Sequence, residues 1–176
     1  MTTPSNGTVL PVGVASGGPR GPARFLRRLR KKIAKRIARD AFFPGVRLSL
    51  LRWAGYAIGT DVYIADGLTI VDELADVGTV TIGDRASLAP NVTLVASSHP
   101  NASRIRAVAP VRRAPIVIEA DAWIGAGAVI LPGVRVGRGA VIGALALVTR
   151  DVETLHVVAG QPARVVGQLP EPPGWS

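Results

Sequence analysis

The sequence predicts a mainly β protein whose body is a parallel β-helix. Three observations carry that reading. First, between Ile118 and Val152 the chain repeats every six residues, and the first place of each unit is Ile or Val: Ile118, Ile124, Ile130, Val136, Ile142 and Val148. Second, the fifth place is always Ala or Val: Ala122, Ala128, Val134, Ala140, Ala146 and Val152. A helix needs apolar residues three to four apart and a half-buried strand needs alternation, so a period of six fits neither. It fits a short strand followed by a corner; three such units close a triangular coil, and coils stack. Third, hydrophobic residues make up 48% of the chain but aromatic residues only 5%, which suits a prism too narrow for rings. Gly125, Gly137 and Gly143 stand at second places, where a Cβ would disfavour the backbone.

A chain of 176 residues suggests one domain with extensions. Residues 1–22, rich in Gly, Pro, Ser and Thr, read as a disordered tail. No basic region precedes their mildly apolar stretch, so a secretory signal is not expected. Residues 23–43 read as a basic amphipathic helix. Of the 21 Lys and Arg residues, nine lie between Arg24 and Arg39 without one acid among them; the other 12 match the 12 Asp and Glu. Leu26, Leu29, Ile33 and Ile37 follow helical spacing, with Phe25 on the flank. That stripe serves either adhesion to an anionic membrane surface or packing on the body. Pro44-Gly45 ends the helix, and residues 44–57 read as a segment capping the apolar end of the first coil.

The six-residue frame begins at Ile58 and runs through Ile64, Ile70, Ile82, Leu88 and Leu94. It fails at Asp76, where Asp72, Glu73 and Asp76 crowd together and predict a bulge or loop. It fails again between Leu94 and Ile118, where its first places would be Pro100, Arg106 and Arg112. Residues 97–114 are therefore an expected excursion from the coil, and a long loop on a compact scaffold is often functional. This one carries His99. The β-helix domain accordingly spans 58–152, with a C-terminal segment over 153–167 and a tail over 168–176.

Several stretches carry a family resemblance: Thr81-Ile-Gly-Asp, Ala89-Pro-Asn-Val-Thr-Leu, Ser98-His-Pro, Ala122-Trp-Ile-Gly-Ala-Gly-Ala-Val-Ile-Leu-Pro-Gly-Val, Val141-Ile-Gly-Ala, Val148-Thr-Arg-Asp-Val and Val158-Ala-Gly-Gln-Pro-Ala-Arg-Val. In these the chain resembles the hexapeptide-repeat acyltransferases, in particular the maltose and galactoside O-acetyltransferase type. The resemblance implies a left-handed β-helix, a homotrimer with active sites between subunits, and transfer of an acetyl group from acetyl-CoA to a hydroxyl. His99 matches the family's catalytic base. Imidazole suits that task because it exchanges a proton near neutrality. For the acceptor, the resemblance points to Asp72, Glu73, Asn91 and Trp123; Asn91 also reads as a turn residue, and Trp123 as an interface aromatic. Ala65 departs from the family, standing where the sugar enzymes carry an assisting asparagine. For coenzyme A it points to Ala126 and Ala144 along the pantetheine arm, and to Thr149, Arg150 and Arg164 near the nucleotide. Gly167 replaces a second arginine found in some relatives, and His156 reads as structural.

The function expected is O-acetylation of a sugar or glycoconjugate. The same fold acetylating serine, an antibiotic or an amino sugar is the alternative, and a non-catalytic scaffold binding membrane or nucleic acid is a further one. With no cysteine, a cysteine nucleophile, a disulfide or a cysteine–zinc site is excluded. With two histidines, His99 and His156, the sequence argues strongly against a three-histidine zinc enzyme, and no metal is expected. No apolar run reaches the length of a membrane span. The expected location is cytoplasmic, either free or, if the basic helix meets a membrane, peripheral on the inner membrane face; nucleic acid is not an expected partner.

Overall fold

The computed structural model describes residues 22–41, 43–74, 76 and 78–175, with side chains from Phe25 onward. The expected disordered tail lies outside these residues except for Pro22, where the first helix begins.

Residues 57–159 wind into a three-faced parallel β-helix. The first face stacks Ala57–Ile58, Val80–Ile82, Ile116–Ile118 and Arg135–Val136. The second stacks Tyr63–Ile64, Ser87–Leu88, Trp123–Ile124, Val141–Ile142 and His156–Ala159. The third stacks Thr69–Val71, Thr93–Val95, Val129–Ile130 and Leu147–Val148. Register places like on like, for instance Ile64, Leu88, Ile124, Ile142 and Val158 in one inward column. Ile118, Ile124, Ile130 and Val136 are wholly buried, as are Ala122, Ala128, Ala140 and Ala146 at fifth places.

The corner is turned at the fourth place of the unit. Asp61, Arg85, Asn91, Asp121 and Leu145 hold positive φ there, as do Gly67, Gly127, Gly133 and Gly139. The second-place glycines answer a different demand. A Cβ on Gly125 would lie 2.6 Å from the Ala144 nitrogen of the next coil, so the need is close approach rather than φ.

Where the frame ends, the structure corrects the sequence reading. Val152 is buried but bridges Val136, a first-place residue. The last coil is therefore shorter than its predecessors, and Val152 does not hold a fifth place. His156–Ala159 then pairs antiparallel with Arg164–Gln168 to close that end.

The other end is closed by two helices. The first, α1, spans Pro22–Asp40. The presumed capping segment is itself helical: α2 spans Pro44–Ala54. α1 stops at Asp40, short of the expected residue 43. Pro44 starts a helix instead of ending one, since a proline in the first turn lacks only a donor that would have no helical partner. Gly55 ends α2 with φ of 100°, its N–H donating to the Arg52 carbonyl while Tyr56 N–H reaches that of Leu51. The buried Arg47 donates to the carbonyls of Ala38 and Ala41 at the end of α1 and to that of Ile64 in the first coil. One guanidinium thereby joins both helices to the prism.

Candidate active site

The catalytic candidate stands on an arm. Ala96 still belongs to the coil, its N–H donating to the Val71 carbonyl. Ser97–Ser98 then leaves the third face and pairs antiparallel with Arg112–Arg113. At the tip is a 3-10 turn, Arg104–Ala107, capped by Ser103 Oγ. The polar frame residues Pro100, Arg106 and Arg112 are thereby kept out of the apolar prism. His99 follows the outgoing strand and lines a cavity of about 460 Å³ with Glu73, Pro100, Asn101, Ala102, Arg106 and Val111. Its Nε2 lies 3.9 Å from Glu73 Oε1. That exceeds hydrogen-bond length, but it sets a carboxylate opposite the charge that an imidazole gains on taking a proton. Arg113 lies 3.7 Å from the same oxygen and also pairs with Asp76, which ties the arm to the 72–79 loop.

The two neighbouring acids part company. Asp72, expected at the acceptor, has its side chain wholly buried against α1, although the residue borders a cavity with Glu73 and His99. Lys31 pairs with Oδ2, Lys35 donates to Oδ1 at 2.7 Å, and Tyr56 and Thr79 hydroxyls donate to Oδ2 at 3.0 and 2.9 Å. Lys31 also donates to the carbonyls of Glu73 and Asp76. Burial opposes the charge on Asp72, but the hydrogen bonds and charges of the two lysines outweigh it and hold the carboxyl below its ordinary range. Burial lowers Lys31 despite Asp72. Burial first, and then the Asp72 charge, raise the Tyr56 phenol. Asp72 is thus an anchor for α1, and of the pair it is the Glu73 carboxylate that stands beside the His99 ring.

Trp123 points outward as expected and is 57% exposed, on the second face near Tyr63, whereas the His99 arm leaves from the third. Asn91 holds a positive-φ corner with its side chain over Gly67, which supplies its turn role. Ala65 is buried. Ala126 and Ala144 sit one above the other on successive coils, and Leu145 N–H donates to the Ala126 carbonyl. Thr149, Arg150 and Arg164 share the lining of a cavity of about 180 Å³ with Val148, Asp151 and Ala163. Two guanidinium groups and a hydroxyl gathered there fit a phosphorylated ligand.

Comparison with known proteins gives this arrangement a family. Residues 115–150 match the family model described as bacterial transferase hexapeptide (six repeats). The galactoside O-acetyltransferase of Escherichia coli (strain K12) is 43% identical over 112 residues, 64% of this chain and 53% of that protein. A crystallised galactoside acetyltransferase in complex with coenzyme A superposes with a TM-score of 0.65 at 31% identity, covering 86% of this chain and 84% of that one. The chain belongs to the hexapeptide-repeat acetyltransferases, of the maltose and galactoside type. A Vibrio cholerae hexapeptide-repeat acetyltransferase complexed with acetyl coenzyme A superposes with a TM-score of 0.69 at 26% identity, covering 86% of this chain and 92% of that one. The coil is accordingly a left-handed β-helix, an exception to the usual right-handed parallel crossover. The chain spans about half the length of the E. coli protein.

Some site residues carried no sequence signal. Arg106 borders the His99 cavity, and Arg28 of α1 borders an adjoining one with Asp72, Glu73, Leu74 and His99 itself. Neither lies in a repeat or a motif; only the fold of the arm and the seating of α1 bring them there. Lys31 looked like one of nine solvated cations, yet only 2% of its side chain is exposed.

Proposed function

We propose that the protein is an acetyl-CoA-dependent O-acetyltransferase acting on a hydroxyl of a sugar or glycoconjugate. The observation that carries the proposal is His99, held on the arm at a cavity with Glu73 beside it, in a fold of this family. In the step proposed, His99 takes the acceptor hydroxyl's proton as its oxygen attacks the thioester carbonyl. The tetrahedral intermediate collapses, the C–S bond breaks, and the departing thiolate takes the proton back from the imidazolium. Glu73 steadies the imidazolium between the two transfers. The transfer proposed is direct and needs no acyl-enzyme, in keeping with a chain that has no cysteine.

For the donor, we place the pantetheine arm along Ala126 and Ala144, and the phosphates at Thr149, Arg150 and Arg164. The assembly proposed is a homotrimer, whose threefold axis would bring the Trp123 face of one subunit to the His99 arm of the next. Trp123, exposed and on a different face from the arm, supports that reading. Glu73 and Trp123 are then the proposed acceptor contacts. A second reading, attachment of α1 to an anionic membrane surface, is supported by the outward set of its apolar stripe: Phe25, Leu26, Leu29, Ile33 and Ile37 are all exposed.

His99→Ala tests the mechanism. Turnover, followed as thiol release with galactoside and other hydroxyl acceptors, should fall by roughly 10²–10⁴, the usual share of a positioned base. Acetyl-CoA binding should survive. Near-normal turnover in the variant would remove His99 from the chemistry, and an intact enzyme silent with every hydroxyl acceptor would remove the reading.

A further inference from the structure

A groove of about 290 Å³ lies between α1, α2 and the first coil. Its walls are Lys32, Lys35, Arg36 and Arg39, and its floor is Leu51, Leu68 and Ile70. The four cations come from one side of one helix at spacings of three and four, where like charges repel. Lys35 is answered by Asp72. Among the described residues, the carboxylate that Arg39 meets is the exposed Asp40 at 4.0 Å. Among the described residues, Lys32 and Arg36 have no carboxylate partner. An anion with several oxygens would relieve the repulsion, and guanidinium groups suit phosphate through paired donors. The apolar floor has no use for a bare inorganic anion; it suits the carbon stem to which a phosphate is attached.

The surroundings say where such a ligand comes from. Lys31, Ala34 and Ala38 fasten α1 to the body, which turns the Phe25–Leu26–Leu29–Ile33–Ile37 ridge outward. The groove cations flank one side of this ridge. On the other, Arg30 stands 5.5 Å over the ring of Trp53, itself half exposed. An apolar ridge bordered by cations on both sides, with an indole at its edge, is the build of a helix lying in a lipid interface. Among the described residues no helix is long and apolar enough to cross a membrane.

We infer that the groove formed by Lys32, Lys35, Arg36 and Arg39 over Leu51, Leu68 and Ile70 binds the phosphate and first carbons of an anionic phospholipid as α1 lies on the bilayer. The inference rests on the membrane reading of α1 and adds a defined headgroup site to it. It does not depend on the acceptor of the acetyl group.

Co-sedimentation of the full chain with phosphatidylglycerol-containing and pure phosphatidylcholine vesicles tests it, with two variants that each remove two charges from α1. Arg36→Gln with Arg39→Gln removes two of the groove's four cations; Arg28→Gln with Arg30→Gln leaves all four. Melting curves check that both remain folded, and Lys32→Gln with Arg36→Gln is a second groove pair. Diffuse attraction would weaken both equally, since each basic residue near the surface contributes alike. A defined site predicts that the groove pair binds anionic vesicles about tenfold more weakly than the control pair. It also predicts that soluble dihexanoyl phosphatidylglycerol binds the intact protein, at least about tenfold tighter than inorganic phosphate, and fails to bind the groove pair. Equal loss in the two pairs, or inorganic phosphate binding as tightly as the lipid, would overturn the site while leaving membrane attachment standing. Intact protein indifferent to anionic vesicles would overturn both.

Discussion

A methyl group on Gly125 would meet Ala144 N at 2.6 Å and Ile142 O at 2.7 Å, both backbone atoms that cannot step aside. Gly125→Ala should therefore force neighbouring coils apart and cost about 1–3 kcal/mol, the usual range for an overpacked site. A denaturation curve coinciding with wild type would show that the coils yield. The six-residue period announced this glycine and the inward Ile and Val around it, because each coil repeats the same steric demand. The arm that carries His99 was legible too, from an interruption of the apolar frame, while the proposed role of His99 came from the family resemblance. Asp72 and Glu73 were not separable in sequence: two adjacent acids look alike until the fold buries one against Lys31 and turns the other to His99. Arg164 belonged to a motif, and its role at a phosphate is open to test. Arg164→Ala should weaken coenzyme A by roughly tenfold, the order of one charge-assisted contact, while barely changing the affinity of the analogue lacking the 3′-phosphate. Equal weakening of the two in calorimetry would assign Arg164 elsewhere.

At the scale of the element, α1 was read as a basic helix whose stripe of Leu26, Leu29, Ile33 and Ile37 serves either a membrane surface or packing on the body. In the structure the stripe stays outward, and the face that packs on the body is Lys31, Ala34 and Ala38. Small alanines let the helix approach α2 closely, and the lysine, solvent-facing on any hydropathy reading, finds Asp72 beneath it. That pairing lies 41 positions away along the chain, in the loop where the frame breaks, so no local pattern reports it. Removing one partner of a buried pair leaves the other charged and unanswered. Asp72→Ala should therefore cost about 3–5 kcal/mol and loosen the loop that carries Glu73. The same network predicts a pH dependence. Asp72 is held below the ordinary carboxylate range in the folded protein, so as pH falls the unfolded chain takes up this proton first. Its contribution is complete above about pH 4, the unfolded value, and is lost below it as the folded carboxyl protonates. Melting temperatures of wild type and Asp72→Asn should differ at neutral pH and converge in acid; a gap that persists unchanged below about pH 3 would assign the stability to packing alone.

At the scale of the molecule, one protomer holds its proposed working parts apart. The arm with His99 leaves the third face, Trp123 stands on the second, and Thr149, Arg150 and Arg164 gather near the far end of the coil. The period of six could report the prism but not its hand or its neighbours, since inward residues are the same in a lone coil and an assembled one. What the repeat leaves outward is informative: Tyr63 and Trp123, both more than half exposed, lie near each other on one face. If cyclic symmetry joins that face to the next subunit's arm, each proposed site takes His99 from one chain and Trp123 from another. His99→Ala and Trp123→Ala trimers should each be nearly inactive. Denatured together in equal amounts and refolded, they form mixed trimers. A site then works when its His99 comes from the Trp123→Ala chain and its Trp123 from the His99→Ala chain, which random assembly supplies in about a quarter of sites. Thiol release should rise towards that fraction of the wild-type rate, while the same two variants refolded separately and then mixed stay silent. A co-refolded sample no more active than the separate ones would mean that each chain carries its own complete site.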